Sequence, residues 1–180
     1  MAARNNPGSF GWVTRLLHWI TAVLVLTALP LGLWIAEMEP SLSAIKYFGY
    51  HKTIGITILA LCVLRILWHR VSPPPEPLPG KSPWQDRAAR AVHRAFYVLL
   101  LAMPLSGWAA SSATGIDTVV FNRWTLPRIA PVSETWEAAG FALHGLLGSL
   151  LAAAVALHLA GALHRAFVSR DGTVARMIRG

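Results

Sequence analysis

The chain has 180 residues, of which 54% are apolar and only 13% charged, and its mean hydropathy of +0.49 implies more apolar surface than one compact soluble core would bury. Sixteen Lys and Arg against eight Asp and Glu give a formal charge of +8; because these cations bracket apolar runs and form no stripe with interleaved aromatics, they argue against a nucleic-acid binder. The single cysteine, Cys62, rules out an intramolecular disulfide, so any redox role needs a borrowed cofactor.

The first apolar run, from about Trp12 to Ile35, is long enough to span a bilayer, which takes about 20 apolar residues. It is too long for a signal-peptide core and lacks a clean cleavage site, so it is expected to remain as a helix. A second run covers about Phe48 to Trp68 and ends in His69 and Arg70. Ser72 to Gly80 follows, holding five of the six prolines between Pro73 and Pro83, and reads as a stiff connector outside the membrane. The third run, about Ala88 to Ser111, contains Pro104, which a membrane helix tolerates with a kink. A polar loop from Ser112 to Thr135 leads to the fourth and longest run, about Trp136 to Phe167. The reading is therefore an all-α membrane protein: a single domain over 1–180, forming a four-transmembrane-helix bundle with helices at about 12–36, 48–69, 88–111 and 136–167.

Counting cations by side orients it. Arg4, Arg15, Arg65, Arg70, Lys81, Arg87, Arg90, Arg94, Arg165, Arg170, Arg176 and Arg179 share one face; Lys46, Lys52, Arg123 and Arg128 lie on the other. The positive-inside rule then makes both termini and the proline connector cytoplasmic. Trp12, Trp19, Trp68 and Trp84 near one end, and Trp34, Trp108, Trp124 and Trp136 near the other, form two interfacial belts.

Five of the seven histidines, His18, His51, His93, His144 and His158, lie within or at the ends of apolar runs, where an ionisable group is costly and marks a functional site. His144 and His158 are fourteen residues apart, which returns them to nearly the same helix face at roughly 21 Å axial separation. Their depths match His51 and His18 respectively, so the candidate pairs are His18 with His158 for an inner haem and His51 with His144 for an outer one. Two neutral imidazoles leave the iron no open position, an arrangement suited to electron transfer. His93 stands at the depth of His18 and His158 and is open to two readings, a hydrogen-bond partner of a propionate or quinone, or a ligand in place of His18. Gly55, Gly148 and Gly161 fall on the faces of His51, His144 and His158, where small residues admit a macrocycle or simply close helix packing. Arg15, Lys52, Arg94 and Arg165 stand near the ligands as candidate propionate partners. A metal or proton path is the non-haem rival; it would ordinarily recruit intramembrane carboxylates, and none lies mid-span.

Arg15-Leu16-Leu17-His18-Trp19, His51-Lys52-Thr53-Ile54-Gly55, His93-Arg94-Ala95-Phe96-Tyr97 through Pro104 and Gly107, and His144 with His158 together resemble the bacterial cytochrome b561 family over nearly the whole chain. The resemblance implies a multi-pass protein of the bacterial inner membrane with two haem b groups on His18, His51, His144 and His158, exchanging electrons with ubiquinone. It also implies a candidate superoxide oxidase activity, in which Lys46, Lys52, Arg123 and Arg128 would steer the superoxide anion, although Glu37, Glu39, Asp117, Glu134 and Glu137 share that face. A different reading makes the chain the membrane anchor and electron conduit of a separate dehydrogenase, hydrogenase or reductase, with that redox protein as partner.

Overall fold

A computed structural model describes residues 2–39, 41–78 and 82–180, with backbone alone at 42 and 43. In chain order the elements are α1 (Trp12–Ala36), α2 (Leu42–Val71), α3 (Pro83–Ala113), β1 (Thr118–Val120), β2 (Trp124–Leu126), α4 (Glu134–Leu163), a π-helical turn (His164–Ser169) and α5 (Thr173–Ile178). The four long helices are each long and apolar enough to cross a membrane. An even number of crossings returns both ends of the chain to one side.

Two helices start further upstream than the apolar runs imply, at 42 and 83 where 48 and 88 were expected. The Ser41 hydroxyl accepts the Ala44 N–H at 3.2 Å and so caps α2; Pro83 occupies the first turn of α3, where its missing N–H costs nothing. Hydropathy marks only the part of a helix that lies in hydrocarbon, whereas backbone hydrogen bonding runs on into the headgroups. Pro104 lies inside the continuous α3 and Pro30 inside α1.

The loop between α3 and α4 is not wholly irregular. Thr118 pairs with Leu126, Val119 with Thr125 and Val120 with Trp124 in an antiparallel hairpin that sequence reading did not anticipate, because each strand is only three residues long. Its tip, Phe121 and Asn122, adopts φ of 53° and 51°, and the Phe121 N–H donates to the Thr53 hydroxyl of α2 at 3.1 Å. At the opposite end, Asn5 donates to the Ser72 and Pro73 carbonyls, and Arg176 donates to the Glu76 and Pro7 carbonyls. The N-terminal segment, the proline connector and the tail thus form one polar cap. Pro79, Gly80 and Lys81, counted above in the connector and among the cations, lie outside the described residues.

α1 packs on α2, α2 on α3, and α3 most extensively on α4, whereas α4 scarcely approaches α1 or α2 among the described residues. The buried cluster of Val25, Ile58, Cys62, Leu99, Leu100, Leu151 and Ala154 occupies the middle of the bundle. Outward-facing residues such as Leu33, Val98, Leu157 and Phe167 remain exposed, as expected where lipid takes the place of a protein core.

Candidate functional site

Two histidine sites lie above and below the buried cluster. At the hairpin end, His51 of α2 faces His144 of α4 with ring centroids 6.1 Å apart and planes at 87°. At the end that carries the termini, His18 of α1 faces His158 of α4 at 6.3 Å and 64°. Both depth matches inferred from the sequence are therefore pairs in space. His93 joins the second group, its ring 5.4 Å from that of His158, with Phe96 at 5.3 Å from the same ring.

These separations discriminate between partners. With a nitrogen–metal bond of roughly 2.0 Å and a nitrogen roughly 1.2 Å from its ring centre, two imidazoles on opposite sides of one metal have centres about 6.4 Å apart. The His51–His144 and His18–His158 distances agree with that figure; the His93–His158 distance is about 1 Å too short. His93 accordingly falls outside that spacing. α4 carries one member of each pair yet packs closely on neither α1 nor α2 among the described residues.

The second shell at the hairpin end supports ligation. His144 Nδ1 lies 3.0 Å from the Met103 carbonyl, which only accepts, so Nδ1 carries the proton and Nε2 keeps its lone pair for a metal. The Ser106 hydroxyl, which donates to the same carbonyl at 2.8 Å, stands 3.2 Å from Nδ1. Pro104 and Met103 line a cavity of about 40 Å³ together with His51, His144, Gly55 and Leu151. His51 lies against the Ala28 carbonyl of α1, although its Nδ1 makes no hydrogen bond of good geometry.

Glycine positions sharpen the picture. A Cβ on Gly107 would stand 2.7 Å from His144 Cε1, and one on Gly32 would stand 2.8 Å from His51 Cε1. Each ring is seated against a glycine of a neighbouring helix, a role not assigned to either residue from sequence; similar depth along α1 and α3 was the available signal. Gly55 meets nothing within 4 Å and faces the cavity, as a close approach by a cofactor requires. Gly148 instead packs against Met103, whose Cε would lie 3.2 Å from an added Cβ, and Gly161 faces open space.

The expected propionate partners divide. Arg15 is buried and donates to the Ile178 carbonyl at 2.8 Å. Arg165 donates to the Leu78 carbonyl and the Thr173 hydroxyl at 3.0 and 2.8 Å and approaches Asp86 and Asp171 at 3.4 and 3.5 Å. Both tie the tail to the bundle. Lys52 is half-buried beside His51, and Arg94 is exposed. His69, at the end of the second apolar run, meets α3: Tyr97 Oη lies 3.0 Å from its Nδ1. Outside the spans, burial pushes the Asp171 carboxyl up, but the Thr173 hydroxyl and N–H and the Arg165 charge outweigh it and hold it below 3.8. Among the described residues no three His, Cys, Asp or Glu side chains form a cluster that could hold a metal ion.

Residues 9–180 match the family model described as prokaryotic cytochrome b561. The chain is 35% identical to "Cytochrome b561 homolog 2" of Escherichia coli (strain K12) over 187 aligned residues, covering 99% of this chain and 95% of that protein. It is 27% identical to "Cytochrome b561 homolog 1" of the same organism, covering 90% and 92%. It is 28% identical to the "Probable superoxide oxidase CybB" of Yersinia pestis, covering 90% and 91%. With four membrane-spanning helices, paired intramembrane histidines and a match over nearly its full length, the chain belongs to the prokaryotic cytochrome b561 family, a family of helical membrane cytochromes that implies haem b as prosthetic group and electron transport as its chemistry.

Proposed function

We propose that the chain is a di-haem cytochrome of the bacterial inner membrane that passes electrons between a donor at the outer face, superoxide being the candidate, and ubiquinone. The observation that carries this reading is the pair of facing histidines at each of two depths, 6.1 and 6.3 Å between ring centres. His51 and His144 would hold the outer haem, and His18 and His158 the inner one. When bound, haem b supplies a one-electron ferric/ferrous couple.

The chain's own groups do the rest. The Met103 carbonyl fixes the His144 tautomer and leaves Nε2 its lone pair. Gly32 and Gly107 seat the two outer rings, and Gly55 leaves the backbone open to a planar group. His93 stands beside the inner pair as a hydrogen-bond partner. The buried aliphatic cluster excludes water between the two sites, which stand roughly 21 Å apart along α4, and so separates the chemistry of the two faces. The cation asymmetry puts both termini in the cytoplasm and the hairpin outside. There, Lys46, Lys52 and Arg123 carry the attraction for an anionic donor, while Arg128 is neutralised by Asp117 at 3.0 Å.

Reduction of one ubiquinone takes two electrons and two protons, so two superoxide anions would be oxidised to dioxygen for each quinol formed. The test is to purify the chain, measure haem per polypeptide as the pyridine haemochrome, and follow superoxide-dependent ubiquinone reduction. Two haems and turnover by the isolated chain are expected. Two haems without turnover would favour the conduit reading, with a separate redox subunit as partner; no haem in protein made with ample haem supply would refute both.

A further inference from the structure

α2 carries a cation where a lipid-spanning helix ordinarily has none. Arg65 lies six residues before the end of α2 at Val71 and three residues inside the apolar run that ends at about Trp68, and an unpaired charge within hydrocarbon is costly. Arginines near helix ends usually relieve this by extending toward the headgroups. In Arg65 the Nε is nevertheless buried without a hydrogen-bond partner, and the guanidinium carbon lies 5.9 Å from the ring centroid of Tyr97 on α3.

No carboxylate answers it. α1 and α2 contain no Asp or Glu, and the acids of α3 and α4 are Asp86, Glu134 and Glu137, all in the first turns of their helices. The ion pairs among the described residues are Arg128 with Asp117, and Arg165 with Asp86 and Asp171. Tyr97, against whose ring the guanidinium lies, has its hydroxyl 3.0 Å from His69 Nδ1, and the preceding residue on α3, Phe96, has its ring 5.3 Å from that of His158. The ring beside this charge is therefore that of Tyr97, and none of the ion pairs among the described residues includes it.

We infer that Arg65 is the counter-charge of the prosthetic group at the termini-end site, its guanidinium pairing with a haem carboxylate side chain and its charge favouring the one-electron-reduced state there. The inference rests on the di-haem reading above. A planar guanidinium fork suits a carboxylate in a dry setting, and a nearby fixed cation stabilises an added electron by an amount that falls with distance and is greatest where water does not screen it. Arg15 and Arg165, already bonded to the tail, need no such partner.

The test uses the full chain with both haems, comparing wild type with Arg65→Gln and Arg65→Lys by haem content and spectroelectrochemical titration. In the Gln variant the ferrous-to-ferric ratio of one component is expected to fall about tenfold at fixed potential, equivalent to about 59 mV for a one-electron couple. The other component should be unmoved, and Lys should restore most of the shift. Unchanged potentials in a two-haem Gln variant would overturn the inference alone, as would a Lys variant shifted as far as Gln. A wild-type chain lacking two haems would overturn the di-haem reading and this one with it. Should the Gln variant fail to assemble, wild-type chain reconstituted with haem b dimethyl ester decides: at least tenfold weaker filling of the termini-end site than with the free acid is expected, and equal filling overturns the assignment.

Discussion

Replacing Gly107 by alanine tests the hairpin-end site with a single methyl group. The new Cβ would stand 2.7 Å from His144 Cε1 and 2.9 Å from Nδ1, about 1 Å inside the usual 3.5–4.0 Å contact distance. The ring has little freedom to retreat. Its Nδ1–H is committed to the Met103 carbonyl at 3.0 Å, and moving away gives up a hydrogen bond of about 1 kcal/mol in addition to an overpacking cost of about 1–3 kcal/mol. Displacing a metal ligand or its second shell ordinarily costs about 10- to 100-fold in affinity. Haem per chain, measured as pyridine haemochrome at limiting haem, should therefore fall from two toward one, and a redox titration should retain only the termini-end component. Gly145→Ala, whose Cβ would meet nothing within 4 Å, is the control and should keep both haems. Two haems bound with wild-type affinity by Gly107→Ala would refute the assignment of His144 as a ligand held in place by that contact.

Gly55→Ala should act in opposite directions on the two forms of the protein: the haem-free chain gains up to about 1 kcal/mol of helix propensity in thermal unfolding, whereas haem content drops because the methyl enters the cavity shared with His51 and His144. His51→Ala should remove one haem and leave the other; simultaneous loss of both in a folded chain would argue against independent sites. His93→Ala is expected to retain two haems, since its ring stands only 5.4 Å from that of His158, and a one-haem variant would instead make His93 a ligand. For the tail, the Asp171 carboxyl is the stronger acid when folded, so its contribution to docking is present above the ordinary value of 3.8 and is lost as pH falls through the lower folded value. Pepsin should accordingly release the 170–180 segment faster as pH drops below about 4, and Asp171→Asn should speed tryptic cleavage after Arg170 at neutral pH; an unchanged rate in the Asn variant would remove Asp171 from the docking contact.

The helical bundle and its histidine pairs were legible in the sequence because both are written in one-dimensional regularities. Apolar run length reports a span through lipid, where the backbone must satisfy itself, and the fourteen-residue spacing of His144 and His158 places them on one face by the arithmetic of the helix alone. Counting depth along each run then paired them with His51 and His18. Lateral neighbours obey no such rule. That Gly32 and Gly107 lie against the imidazoles, that the Met103 carbonyl sets the His144 tautomer, and that Arg15 and Arg165 are occupied by the tail all depend on how the helices rotate against one another, which is settled by contacts between residues far apart in the chain. The hairpin between α3 and α4 was not legible because three-residue strands carry too little periodicity, and the helix starts at 42 and 83 because hydropathy fades before helical hydrogen bonding does. Arg65 is the plainest case: in the sequence it belongs to the basic flank of a span, and only the packing of α2 against α3 sets it beside Tyr97 with its Nε buried.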